Sequence, residues 1–303
     1  MCIKCNPFTR NILRVAGRGL WPFWSDERYL QELWKFHIGT ELNLTTPVSF
    51  NEKLQWLKLH DRKPQYVIMA DKYKVRRYIA ERIGKEYLIP LLGVWKRPEE
   101  IDFRSLPSQF VLKCNHNSGL GMCICKDKSK INEKKVIKGL KKGLRDNYFY
   151  HGREWPYKDI PRRIIGEKFM VDSRDEDGRG LIDYKFYCFN GEPKFLYVSQ
   201  GLDVHETARI RFLTLDWEFA PYARCDYKEY ETLPPKPAGY EKMLEIARIL
   251  SAETIFLRVD LYEINGQIYF SELTFYPGAG FTIYKHDTDD MEIGSLLKLP
   301  IQQ

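Results

Sequence analysis

Toward the C-terminal end the sequence runs Arg258-Val259-Asp260-Leu261-Tyr262, turns at Asn265-Gly266 and returns through Phe270-Ser271-Glu272-Leu273-Thr274. Side chains alternate along a strand, so Arg258, Asp260 and Tyr262 share one face, and Glu272 and Thr274 share one on the returning strand. Two carboxylates on neighbouring strands offer the hard oxygen ligands that Mg²⁺ takes beside substrate phosphates. The same residues also read as a salt-bridge ladder on a solvated face. Asp183 and Lys185, two residues apart, share a face of an earlier strand and by themselves read as an ion pair.

A second group lies upstream. Lys113 ends the apolar run Phe110-Val111-Leu112, and His116-Asn117-Ser118-Gly119-Leu120-Gly121 follows. A loop of small residues between two strands exposes backbone N–H groups that can fold over a triphosphate, with Lys113 as a point charge. The spacing is not GxxxxGK[ST] and no helix follows directly, which excludes a P-loop and a Rossmann dinucleotide site. In Ile164-Ile165-Gly166-Glu167-Lys168-Phe169-Met170, charges interrupt an apolar run. A strand edge could offer its backbone to a planar base there, walled by Phe169 and Met170, or the run is an edge strand with one solvated face.

The elements that must hold these residues are legible in outline. Ser49 and Glu52 form a capping box ahead of a helix over 49–60, and Asp71 starts a second helix that stops at Gly84. Strands are predicted at 109–114, 122–125, 163–170, 184–189, 193–199, 254–262 and 267–273, with hairpin turns at Asn190-Gly191 and Asn265-Gly266. Asn132 caps a Lys-rich helix, another helix covers 239–251, and 172–180 is a polar surface loop. The class is α+β, without internal repeats.

Taken in order, these features resemble the ATP-grasp fold, and more closely its TupA-like branch, named for teichuronopeptide synthesis. The matching stretches are SFNEKLQWLKL (49–59), EYLIPLLGVW (86–95), FVLKCNHNS (110–118), YFYHGREWPY (148–157), DYKFYCFNGEPKF (183–195) and ELTFYPGAG (272–280), and the resemblance covers about residues 25–300. It implies two α+β subdomains clamping ATP, with a helical N-terminal region. The expected division is a basic segment over 1–24, a helical scaffold over 25–108 and a catalytic region over 109–303, with its lid part at 109–170 and its metal-binding part at 181–303.

The resemblance also implies ADP-forming, ATP-dependent ligation of a carboxylate to an amine through an acyl phosphate, the carboxylate being a uronic acid of a cell-surface polysaccharide. Lys72 and Lys113 match the lysines that hold ATP phosphates, Asn117 to Gly121 the loop over the triphosphate with His116 beside it, and Glu167, Lys168, Phe169 and Met170 the adenine hinge. Asp172 or Asp175 would bind the ribose. Lys185 matches the basic residue near the γ-phosphate, Arg258 the one that steadies the acyl phosphate, and Asp260 and Glu272 the Mg²⁺ carboxylates. Thr274 stands where many ATP-grasp enzymes have Asn and can ligate metal only through its hydroxyl. His205 and Arg209 are candidates for the acceptor, and His151, Arg153 and Trp155 for stacking on a sugar.

Composition sets the outer bounds. The 303 residues are 44% hydrophobic and 14% aromatic, which excludes a disordered scaffold. No apolar run reaches the ~18 residues of a bilayer span and no signal-peptide h-region opens the chain, so the expected location is the cytosol. A net charge of +7 leaves polyanions open as partners, and the rival readings are a sugar-modifying transferase and a non-enzymatic polyanion-binding module. The expected partners are a nucleotide and a small-molecule or glycan substrate, not nucleic acid. Residues 1–24, with Lys4, Arg10, Arg14 and Arg18 and no acid, could lie on an anionic membrane face or pack on their own domain. The seven cysteines read as reduced thiols, and the Cys2/Cys5 pair has no partner pair at zinc-site spacing.

Overall fold

The computed structural model describes residues 24–175, 178–202, 208–286 and 288–301. Cys2, Cys5, His205 and the basic segment up to residue 23 lie outside the described residues. In chain order the helices of seven or more described residues are α1 (Asp26–Ile38), α2 (Phe50–His60), α3 (Pro64–Ala70), α4 (Val75–Arg82), α5 (Glu133–Arg145), α6 (Tyr240–Ser251) and α7 (Asp289–Ser295), and a single helical turn covers Phe149–Gly152. The strands are β1 (Leu91–Trp95), β2 (Phe110–Cys114), β3 (Cys123–Cys125), β4 (Ile164–Lys168), β5 (Ile182–Phe189), β6 (Glu192–Gln200), β7 (Arg209–Thr214), β8 (Lys228–Glu229), β9 (Phe256–Ile264) and β10 (Gln267–Thr274). The chain divides into a larger unit, Met1–Arg62 with Tyr150–Glu154 and Asp172–Gln303, and a smaller one, Lys63–Phe149 with Trp155–Val171.

The smaller unit is built on an antiparallel sheet ordered β1-β4-β2-β3. Alternation along β2 sends Phe110, Leu112 and Cys114 into a core with Ile101, Phe103, Leu106 and Ile164, closed by Leu140 of α5. A side chain at Gly166 would bring its Cβ within 2.9 Å of the Trp95 ring, so any larger residue in the middle of β4 would have to displace that ring. β4 pairs on both sides, which corrects the reading of 164–170 as a strand edge: the ladder consumes the backbone up to Lys168, and Phe169 and Met170 leave it half-buried. Asn132 caps α5 as expected, its side chain accepting from Lys135 N at 3.0 Å. The helix expected from Asp71 begins only at Val75, but Asp71 Oδ1 still accepts from Tyr73 N and Lys74 N at 2.9 and 3.3 Å.

The larger unit holds a six-stranded sheet ordered β10-β9-β5-β6-β7-β8, antiparallel except for β7 with β8. Both Asn-Gly turns are two-residue hairpins with positive φ at each position, 50° and 87° at Asn190-Gly191 and 52° and 79° at Asn265-Gly266. One face packs on α6 through buried Met243, Ile246, Ala247 and Leu250. On the other, Phe50 of α2 sits 5.0–6.3 Å from the rings of Tyr187, Phe189 and Phe256. Each buried ring of this kind stabilises by about 1.5–3 kcal/mol, so apolar packing, not charge, ties α2 to the sheet. The predicted capping box opens α2: Ser49 Oγ accepts from Glu52 N at 3.2 Å, and Glu52 returns the contact to Ser49 N at 3.0 Å.

One irregularity decides what the sheet presents. The β9/β10 pairing runs regularly to Phe270 opposite Leu261, then shifts, so that Glu272 opposes Asp260 and Thr274 opposes Arg258. The inserted residue is Ser271. In an unbroken register Ser271 would face Asp260, and Glu272 would fall opposite Val259 on the α6 side.

Candidate active site

On the sheet face away from α6, β5, β9 and β10 align their charged residues as cross-strand neighbours. Asp260 is fully buried at the centre. Its carboxylate accepts from Lys185 Nζ at 2.8 Å and from Arg258 Nε and Nη2 at 2.7 Å each. Lys185 also pairs with Asp183 at 3.1 Å, and Arg258 Nη2 reaches Glu272 Oε1 at 3.1 Å and Thr274 Oγ1 at 3.0 Å. Thr274 donates back to Glu272 at 3.3 Å. The expected Lys185, Arg258, Asp260, Glu272 and Thr274 therefore form one connected network, with Asp183 as a further acid.

Electrostatics keep the cations charged. Burial alone would lower the Lys185 ammonium, but Asp183 and Asp260 outweigh it and hold it well above its ordinary value. Arg258 is likewise buried, and Asp260 more than compensates. Burial raises the Asp183 carboxyl, with Lys185 opposing. Three carboxylates meet two cations, and Glu272 is the acid with the most accessible side chain of a ladder ion pair, 38% exposed. Among the described residues no group of three or more His, Cys, Asp or Glu forms a metal cage. Mg²⁺ does not need one, since it is commonly held by one or two carboxylates together with substrate phosphates and water. Asp260 and Glu272, hard oxygen donors directly opposed with one carboxylate in excess, fit that requirement.

The smaller unit brings other expected residues together. Lys113 of β2 pairs with Glu167 of β4 at 2.6 Å, and Arg76 of α4 reaches the same carboxylate at 3.2 Å. Burial lowers the Arg76 guanidinium and Glu167 opposes that shift. Arg76 was not foreseen; its only signal was a cation on a helix whose packing partner the sequence does not name. Lys72 is bound to the glycine loop: its N–H donates to Asn115 O at 3.1 Å and its Nζ to Asn117 O at 2.9 Å. Asn117 donates to Leu120 O and Gly143 O at 3.1 and 3.2 Å, and Gly121, at φ 82°, packs where a Cβ would lie 2.7 Å from Gly139 O. The loop is thus anchored on the glycine flank of α5, and its exposed tip is Ser118 and Gly119.

Other candidates fall elsewhere. His116 is buried, with Nε2 against Asp146 O at 3.1 Å and Nδ1 against Asn115 Oδ1 at 3.3 Å, and burial lowers its pKa; its ring braces the foot of the loop. Asp172 is clamped by Arg174, which also binds Glu263 on the α6 side of the sheet, so it stands apart from the Asp260 network. Asp175 accepts from Gly180 N at 2.9 Å within its own loop. Arg209 lies exposed on β7. Arg153, a candidate with His151 and Trp155 for stacking on a sugar, is buried under the Tyr29 ring at 4.0 Å and beside Asp26 at 3.2 Å. Among the described residues, Cys114, Cys125 and Cys188 are buried and Cys123 and Cys225 partly buried, and none of the five forms a disulfide.

One chemically unusual residue escaped the sequence reading. Lys58 of α2 is completely buried, its Nζ donating to Gln55 Oε1 and Ala279 O at 2.8 Å each. Burial pushes its amine down to about 7, with Glu154 opposing. Gln55 Nε2 binds Gly280 O at 2.7 Å, so both side chains fasten the 277–280 turn that follows Thr274. Spacing could not reveal this, because a lysine in an amphipathic helix normally marks the solvent face.

The family model described as TupA-like ATPgrasp matches residues 52–298. No curated protein matches the chain. Among solved structures it is similar to D-alanine–D-alanine ligase from Helicobacter pylori, at 15% identity over 82% of this chain and 69% of that one, with a TM-score of 0.44. It is also similar to D-alanyl-alanine synthetase A from Vibrio cholerae, at 11% identity over 85% and 66% with a TM-score of 0.42. A third is D-alanine–D-alanine ligase from Bacillus anthracis complexed with ATP, at 14% identity over 68% and 53% with a TM-score of 0.38. The chain spans between 53% and 69% of the length of these proteins.

Proposed function

The chain belongs to the TupA-like ATP-grasp family, and on that premise we propose that it activates a carboxylate as an acyl phosphate and joins it to an amine with release of ADP. The observation that carries this reading is the ladder in which Asp260 and Glu272 oppose each other beside Lys185 and Arg258. A carboxylate is a poor acyl donor until phosphorylated, and phosphoryl transfer is catalysed chiefly by positioning and charge neutralisation. In this reading Lys185 faces the γ-phosphate and Arg258 steadies the acyl phosphate. Lys72, Lys113 and the Asn117–Gly121 loop hold the phosphates, and residues 167–170 border the base.

Mg²⁺ bound by Asp260 and Glu272, with Thr274 as a further oxygen, would neutralise phosphate charge during transfer. The chain's own cations do the rest: Lys185 and Arg258, held charged by their buried acids, are oriented before substrate arrives. No nucleophilic side chain is required. The proposed carboxylate is a uronic acid of a cell-surface polysaccharide and the amine an amino acid or amine, following the family resemblance. The test incubates purified protein with ATP, Mg²⁺ and a panel of uronic acids and amines. Release of ADP and phosphate that requires both co-substrates is the expected result; release of AMP would exclude the acyl-phosphate route.

A further inference from the structure

The chain's excess charge is concentrated in one place. Residues 126–145 carry nine Lys or Arg and two acids, a surplus equal to the formal +7 of all 303 residues. In α5, at 100° per residue, every cation falls within an arc of about 120°. The opposite side, led by fully buried Leu140, closes the core of the smaller unit. Lys128 turns back onto the carbonyls of Arg104 and Leu106, Lys130 pairs with Asp127 and Lys141 with Glu99. Lys126, Lys134, Lys135, Lys138, Lys142 and Arg145 are exposed, with no carboxylate within ion-pair distance among the described residues.

From this concentration we propose that the outer face of α5 docks the protein on an anionic lipid bilayer. Eight of the nine cations are lysines, hydrated point charges, rather than the forked guanidinium that reads individual carboxylates or phosphates. The segment contains no aromatic residue on which a sugar ring or an unpaired base could stack. What remains is a convex row of diffuse positive charge, which suits a sheet of anionic headgroups and requires no shape match. The apolar face of α5 is committed to the core, so attachment is electrostatic without insertion and therefore salt-labile. The sequence adds Lys4, Arg10, Arg14 and Arg18, without an acid, at the chain's start. This inference is independent of the ligase reading, because none of these residues belongs to the candidate active site.

The test is co-sedimentation of the full-length protein with phosphatidylcholine vesicles, with and without phosphatidylglycerol. Binding is expected only to the anionic vesicles at about 0.1 M salt, and release at about 1 M, where the Debye length falls to ~3 Å. Lys134→Gln/Lys138→Gln/Lys142→Gln should weaken that binding about a hundredfold while the protein melts at the wild-type temperature. Should the triple variant fold poorly, Lys135→Gln/Arg145→Gln probes the same arc. Undiminished binding by these variants overturns the proposal. So does equal binding to neutral vesicles, or retention on duplex DNA or polygalacturonate without retention on vesicles. Loss of binding only when Lys4, Arg10, Arg14 and Arg18 are replaced by Gln would assign the contact to the N-terminal segment instead.

Discussion

In the six-stranded sheet three carboxylates, Asp183, Asp260 and Glu272, meet the two cations Lys185 and Arg258, whereas in the four-stranded sheet the single carboxylate Glu167 meets Lys113 and Arg76. The two networks thus carry surpluses of opposite sign. A spare carboxylate suits a divalent cation and spare cations suit phosphate, so under the proposed function the acid-rich ladder would take the metal and the cation-rich network phosphate. Burial differs as well. Asp260 is wholly enclosed and accepts three hydrogen bonds from cations, while Lys113 keeps 23% of its side chain exposed.

The largest effects are expected within the acid-rich ladder itself. Asp260→Asn leaves Lys185 and Arg258 buried without their central acid and should cost about 3–5 kcal/mol of stability as well as activity. Glu272→Gln, at the ladder's open edge, should abolish turnover yet change stability by no more than about 1 kcal/mol. Denaturant unfolding of both variants checks this; equal stability losses would mean that both acids are structural.

A smaller effect separates Lys58 from the ladder's cations. Its folded pKa lies near 7 and its unfolded value near 10.5, so the unfolded chain binds more protons between them. Its contribution to stability is then full above about pH 10.5, declines as pH falls and is gone below about 7, with a slope of at most about 1.4 kcal/mol per pH unit. Unfolding free energies at pH 6.5 and 9 should therefore differ more in the wild type than in Lys58→Met. Identical differences would show that Lys58 stays charged on its carbonyl and Gln55 partners.

The smallest expected effect concerns the loop of the cation-rich unit. Gly119 and Gly121 both have positive φ, 77° and 82°, but an added Cβ meets nothing within 4 Å at Gly119 and the Gly139 carbonyl at 2.7 Å at Gly121. Gly119→Ala should cost only the left-handed backbone penalty of about 1 kcal/mol. Gly121→Ala should cost more and weaken nucleotide binding by lifting the loop from α5. The measurements are a melting curve and an ATP titration, and a larger loss at Gly119 would reverse this ordering.

Much of this was legible in the sequence, and the omissions share a cause. Alternation placed Arg258 with Asp260 and Glu272 with Thr274, and the Asn-Gly turns joined their strands as expected. Yet two flawless strands would have pointed Glu272 toward α6; the Ser271 bulge that turns it back to Asp260 leaves no mark in residue type. Lys113 and Glu167 were each singled out, but their pairing joins strands some fifty residues apart, and Arg76 arrives from a third element. α1 went unread although Ser25 caps its start, its side chain accepting from Arg28 N, and Gly39 ends it at φ 85°. β4 looked like an edge because charge interrupts it, when those charges are held by partners distant in sequence.

The proposed roles of the two networks, Mg²⁺ for the acid-rich ladder and phosphate for the cation-rich one, are tested most directly by thermal unfolding with ATP in the presence and absence of Mg²⁺. A ligand at about 100 times its dissociation constant adds about 2.7 kcal/mol, a rise of a few degrees at this size. The predicted result is a rise with Mg·ATP in the wild type that Lys113→Ala loses, with Glu272→Gln losing only the increment due to Mg²⁺. No rise at millimolar Mg·ATP, or a full rise in Lys113→Ala, would contradict them.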